Sequence, residues 1–77
     1  MEVNKVHNRL KRIEGQVRGV EEMISILRPT DDVIIQLSAI RSAVDSLIIS
    51  IIEAEIDQAD QGRLLELKRT LKRMIKS

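Results

Sequence analysis

An all-α fold is predicted by three features of the 77-residue chain. Apolar residues recur three and four apart over two long stretches, as they do along one side of an α-helix. Those stretches are divided by the only Pro, at position 29. No turn signal interrupts the second stretch between Val33 and Glu55. At 8.8 kDa there is room for a single domain, taken as residues 1–77.

The first helix is expected over about residues 3–27. Its seam is Val3, Val6, Leu10, Ile13, Val17, Val20, Ile24 and Leu27, a heptad pattern of the kind that packs against another helix. A residue that precedes proline is pushed out of the helical region, so Arg28 before Pro29 should end the helix near Leu27.

The second helix is expected over about 31–58. Thr30 offers a hydroxyl cap, and Asp31 and Asp32 put negative charge at the positive end of the helix dipole. Its seam reads Val33, Leu37, Ile40, Val44, Leu47, Ile51 and Ala54, and Leu47 to Ile52 is apolar except for Ser50. The many β-branched residues here favour strand, but the sustained heptads outweigh them. Such a helix is about 40 Å long, too long for helix 1 alone to cover its apolar centre. Other copies of the chain should cover the rest, as is usual for domains this small. A polar stretch ending in Gly62 is expected to stop helix 2, followed by a third helix over about 63–76 with Leu64, Leu67, Leu71 and Met74 on one side.

Composition narrows the function. With no Cys there is no thiolate metal site, disulfide or cysteine nucleophile, and with no Phe, Trp or Tyr there is no aromatic platform for stacking bases. No Ser-His pairing, phosphate-binding Gly loop or His/carboxylate cluster suggests an enzyme. No run approaches 20 consecutive apolar residues, and no signal-peptide core follows Met1, so a cytoplasmic protein without a membrane span is expected.

The net charge of +1 is unevenly spread. Residues 1–28 hold six basic and four acidic side chains, residues 29–62 one and seven, and residues 63–77 six and one. On helix 1, Lys5, Arg9, Arg12 and Gln16 follow one another four, three and four residues apart beside the apolar seam, with Lys11 and Arg18 further out. Such a stripe suits a phosphate backbone, and Arg and Gln can also read base edges. It is equally what a solvated helix face looks like. Gly15 and Gly19 each cost a helix up to ~1 kcal/mol relative to Ala, which suggests close approach by a neighbouring helix or by phosphates.

The string from Arg9 to Val20 (RLKRIEGQVRGV) followed by Asp32 to Arg41 (DVIIQLSAIR) resembles the CsoR/RcnR family of bacterial metal-responsive repressors. The resemblance implies three-helix chains that form antiparallel four-helix-bundle dimers and then tetramers. It also implies binding of double-stranded operator DNA through basic residues of helix 1 and release on inducer binding. Carried onto this sequence, the DNA-binding residues are Lys5, Arg9, Arg12, Gln16 and Arg18, with Arg9 first.

The chain departs from the family at the effector site. Where copper-sensing members have Cys, His and Cys, this sequence has Thr30, Glu55 and Ala59. Cu(I) selects sulfur ligands, so a copper(I) site of the family type is not expected. A divalent metal could use oxygen and nitrogen donors, with His7 and Glu55 the first candidates, although His7 by itself reads first as a solvent-facing side chain flanking the seam. If Glu55 holds no metal, an Arg or Lys of another protomer should pair with it. The effector is unknown. The leading expectation is a DNA-binding repressor; the alternative is a helical assembly module that has lost effector sensing.

Overall fold

The structure, a computed structural model, describes residues 1–76. It is all-α, with α1 over Val3–Ser25, α2 over Thr30–Ile56 and α3 over Gln61–Lys76. Helices α1 and α2 form an antiparallel hairpin. α3 turns back beside α2 and makes only sparse contact with it.

The hairpin turn is tighter than the seam suggests. α1 ends at Ser25 rather than 27, because the backbone closes a Schellman turn: Arg28 N–H donates to Met23 O at 2.9 Å, and Leu27 N–H donates to Ile24 O at 3.2 Å. The turn requires a left-handed residue, and Leu27 supplies it with φ 58°. Leucine is an unfavourable choice there, since a Cβ in that conformation costs roughly 1–2 kcal/mol. Its side chain is also 88% exposed, so nothing within the chain offsets the strain.

The start of α2 also differs from the expected cap. Thr30 is the first helical residue and its hydroxyl makes no capping bond. The preceding Pro29 holds the cap position with extended backbone, and its carbonyl accepts from Asp32 N–H at 3.0 Å. Asp31 and Asp32 do lie in the first turn. Asp32 pairs with Arg28 across the turn at 2.9 Å.

At the other end, α2 stops at Ile56 instead of 58, and α3 begins at Gln61 instead of 63. Gly62 lies inside the first turn of α3 and stops nothing. The start of α3 is set by Asp60, whose Oδ1 accepts from Arg63 N–H at 2.8 Å in the geometry of an N-cap.

The hairpin cannot bury its own apolar side chains. Among the described residues only Val20 and Leu47 are buried, at 6% and 5% exposure. Val20 belongs to the seam of α1 and Leu47 to the seam of α2. Leu10, Val17, Ile24, Leu37 and Val44, all seam residues, remain exposed. The chain is a slab of 51 × 30 × 13 Å with a radius of gyration of 16.1 Å, whereas a compact domain of this length has about 11–12 Å.

α2 is also long and apolar enough to cross a membrane by length and composition, with mean hydropathy 1.5 over its most apolar section. The sequence expectation of no such segment is corrected to that extent. Arg41 and Asp45 lie near its centre, where hydrocarbon would penalise both.

Replacing Leu27 by Gly should relieve the left-handed strain and raise unfolding stability by about 1 kcal/mol. Urea titration followed by circular dichroism measures this, and an unchanged or lowered midpoint would mean that the Leu27 side chain is held by a contact outside the single chain.

Candidate nucleic-acid interface and effector positions

The basic stripe of α1 divides into two rows because of its heptad spacing. Residues seven apart share a position, so Arg9 pairs with Gln16 and Lys5 pairs with Arg12. The first row adjoins α2 and is half-buried; the second is exposed. Arg18 and Lys11 are exposed as well.

Arg9 is therefore anchored to its own chain. One guanidinium nitrogen donates to Ser50 Oγ at 2.8 Å and the other to Ser46 Oγ at 2.9 Å. Ser46 and Ser50 are one turn apart on α2 and belong to a series, Ser38, Ser42, Ser46 and Ser50, at four-residue intervals. That spacing was the available signal in the sequence for a polar strip on an otherwise aliphatic helix.

Gln16 is likewise drawn into the seam. Its Oε1 is shielded from solvent and has no hydrogen-bond partner, so it does not lie on the open face with Arg12. A shielded acceptor without a donor is costly, and a donor from outside the chain would satisfy it.

The outer row meets no such neighbours. Among the described residues, Lys11, Arg12 and Arg18 make no ion pair, and Lys5 reaches only Glu2, at 3.9 Å and largely in solvent. Pairs that exposed contribute little. A Cβ built at Gly15 or Gly19 meets nothing within 4 Å, so neither glycine serves helix packing inside the chain.

Glu55 lies at the end of α2, where Arg63 of the same chain engages it. Arg63 Nε donates to Glu55 Oε1 at 2.6 Å, and Nη1 donates to Glu66 Oε2 at 3.0 Å. The pairing expected from another protomer is thus made within the chain, because the short α2–α3 turn returns Arg63 to the last turn of α2. The hydrogen bonds that Arg63 donates, to Glu55 first and then to Glu66, raise its pKa above the ordinary arginine value. A raised basic pKa contributes stability below the unfolded value and loses it only as pH climbs through the folded one. That window lies in strong base, so Arg63 stays charged throughout the neutral range.

The other effector positions are dispersed. His7 is exposed on α1, and Ala59 lies in the turn before α3. Thr30 and Glu55 are separated by most of the length of α2, about 37 Å. Among the described residues, no three His, Asp or Glu side chains gather as a metal site.

Comparison with known proteins identifies the chain as a whole. Residues 2–77 match the family described as metal-sensitive transcriptional repressor. The chain belongs to this family. It is 40% identical over 52 residues to the copper-sensing transcriptional repressor CsoR of Bacillus subtilis (strain 168), covering 68% of this chain and 52% of that protein. It is 32% identical over 80 residues to the copper-sensing transcriptional repressor RicR of Mycobacterium tuberculosis (strain ATCC 25618 / H37Rv), covering 90% of this chain and 83% of that protein. The chain thus spans about half the length of CsoR. No solved structure matches significantly. These relatives are repressors rather than enzymes, in keeping with the absence of a catalytic motif.

In this member of the family, the residues present do not fit a copper(I) site of the family type. Cys is absent, Ala59 has no donor, and the Glu55 carboxylate is already engaged by a guanidinium.

Ser46→Ala combined with Ser50→Ala should release Arg9 and lower unfolding stability by about 1 kcal/mol, measured by urea titration. An unchanged midpoint would show that the two bonds contribute nothing net. Arg63→Ala should speed amide hydrogen exchange severalfold at the start of α3 while leaving α1 unchanged; equal rates in both proteins would remove Arg63 as the tie between α2 and α3.

Proposed function

We propose that this chain is a DNA-binding transcriptional repressor that works as a homo-oligomer in the cytoplasm. The observation that carries the proposal is the exposed, largely unpaired cationic row of α1. Lys5, Arg12 and Arg18 stand free for phosphate, and open backbone at Gly15 and Gly19 beside them lets a duplex come close. Membership of a repressor family supports the same reading.

The five DNA-contact positions then have different roles. Lys5, Arg12 and Arg18 contact the duplex directly. Arg9 orients α1 through Ser46 and Ser50 and reaches phosphate by exchanging one serine for it. Gln16 contributes by filling the seam and accepting a donor from outside the chain.

The assembly follows from the uncovered aliphatic surface. Two hairpins packed antiparallel form a four-helix bundle that hides the exposed seam residues. Dimers pairing into a tetramer would cover the long middle of α2, as the family resemblance implies. Assembly also brings Thr30 of one copy toward Glu55 of another. An effector acting there, with a divalent metal as the first class to test, must compete with Arg63 for the Glu55 carboxylate. His7, the sole histidine, is the only imidazole donor the chain can offer such a metal.

Gel-shift titration against duplex DNA from the chain's own upstream region tests the reading. Affinity should fall steeply as salt rises, and Lys5→Gln with Arg12→Gln should reduce the slope of log K against log salt by about two for each subunit that contacts the duplex. Gly19→Ala should stabilise the protein by up to ~1 kcal/mol yet weaken DNA binding. No retardation at low salt would leave an assembly module as the function. DNA binding unharmed by Gly19→Ala would remove the close-approach role of that glycine.

A further inference from the structure

We propose that α3 carries a second DNA-backbone contact, formed by Lys68, Arg69, Lys72 and Arg73 and separate from the stripe on α1. This rests on the repressor reading above and extends it to a helix that reading leaves without a role.

The charge on α3 is concentrated and unneutralised. Its only acidic residue is Glu66, which is taken by Arg63, and Arg63 is taken in turn by Glu55 and Glu66. Of the five cations that follow Glu66, Lys68, Arg69, Lys72 and Arg73 are exposed, and among the described residues none of these four has a carboxylate partner. At 100° per residue they share an arc of about 140°, and they lie within about 8 Å along the axis. Leu64, Leu67 and Leu71 occupy the opposite side and are half-buried. Like charges this close repel one another, a cost that a dense polyanion removes.

Duplex DNA, with a phosphate charge about every 1.7 Å of axis, has the density to neutralise such a cluster. The chain's own acids do not. Asp32, Glu55 and Asp60 are committed to Arg28, Arg63 and the α3 cap. Glu2, Glu14, Glu21 and Glu22 belong to the α1 segment, and Asp31, Glu53 and Asp57 are scattered along α2 and its end. Asp45, which borders the same hollow as Met74 and Ile75, forms no ion pair with the cluster among the described residues. A basic amphipathic helix also suits an anionic membrane, but there the apolar face must be free to enter lipid, and Leu64, Leu67 and Leu71 are already half-buried within the chain.

Arg63 determines how this cluster is presented. By joining the last turn of α2 to the first turn of α3, it fixes where the basic face begins relative to the hairpin. It is a positioning residue and does not touch DNA.

The full chain carrying Lys68→Gln, Arg69→Gln, Lys72→Gln and Arg73→Gln is compared with wild type by fluorescence anisotropy on the same operator duplex across a salt series. Glutamine keeps helix propensity, and circular dichroism with sedimentation checks fold and mass. The slope of log K against log salt should fall by about three to four for each subunit that contacts the duplex, and affinity near 0.1 M salt by at least about tenfold. Lys72→Gln alone should lower the slope by about one for each contacting subunit, which keeps the test valid if the fourfold variant misassembles. A wild-type slope in both variants, with DNA binding intact, overturns the α3 contact and leaves the α1 reading standing. Absence of DNA binding by wild type removes both. Binding of wild type to phosphatidylserine vesicles that the variant loses, with no change in DNA slope, assigns the face to a membrane and overturns the inference. A change of oligomer mass without a change in slope assigns it to contact between copies, with the same consequence.

Discussion

Two helices laid side by side hide only the strip along which they touch, and in this chain that strip is too narrow for its aliphatic content. Val20 and Leu47 fill it; Val6, Ile13, Val33, Ile40 and Ile51 are only half-covered, and Leu10, Val17, Ile24, Leu37 and Val44 look outward. Apolar burial stabilises by about 25 cal/mol per Å², so leaving this much surface in water forgoes most of what could hold so short a chain together. The loop, the ion pairs and the polar strip all act on a hairpin that needs further copies of itself to be complete.

Polar residues on this scaffold are sorted by their distance from the seam. A side chain one heptad step from the contact line reaches the neighbouring helix, as Arg9 does to Ser46 and Ser50. One step further out it reaches only solvent, as Arg12 does. The same cation therefore braces the hairpin at one position and stays available for a partner at the next. Charge alone does not distinguish these cases, because both residues are arginines of one basic stripe.

The effector end shows a related substitution of means. Copper-sensing relatives are named for a metal, whereas here the carboxylate of Glu55 meets a guanidinium from the following helix. A guanidinium is a permanent cation that forms directional bonds to carboxylates. It ties α2 to α3 without any exchangeable ion, and its charge does not change in the neutral pH range.

The three helices, their order and their apolar sides were legible from spacing alone, because heptad periodicity is a local property that neighbouring turns repeat. Family membership was legible too, in the strings around Arg9–Val20 and Asp32–Arg41. Ends and partners were not. Pro29 was visible, but the left-handed Leu27 and the cap at Asp60 depend on backbone bonds between residues several places apart. The division of Arg9 and Gln16 from Lys5 and Arg12, and the Glu55–Arg63 pair, required knowing how α2 lies against its neighbours. Sequence periodicity determines which residues share a helix side, and only tertiary packing decides which of those sides meets another chain segment and which meets water.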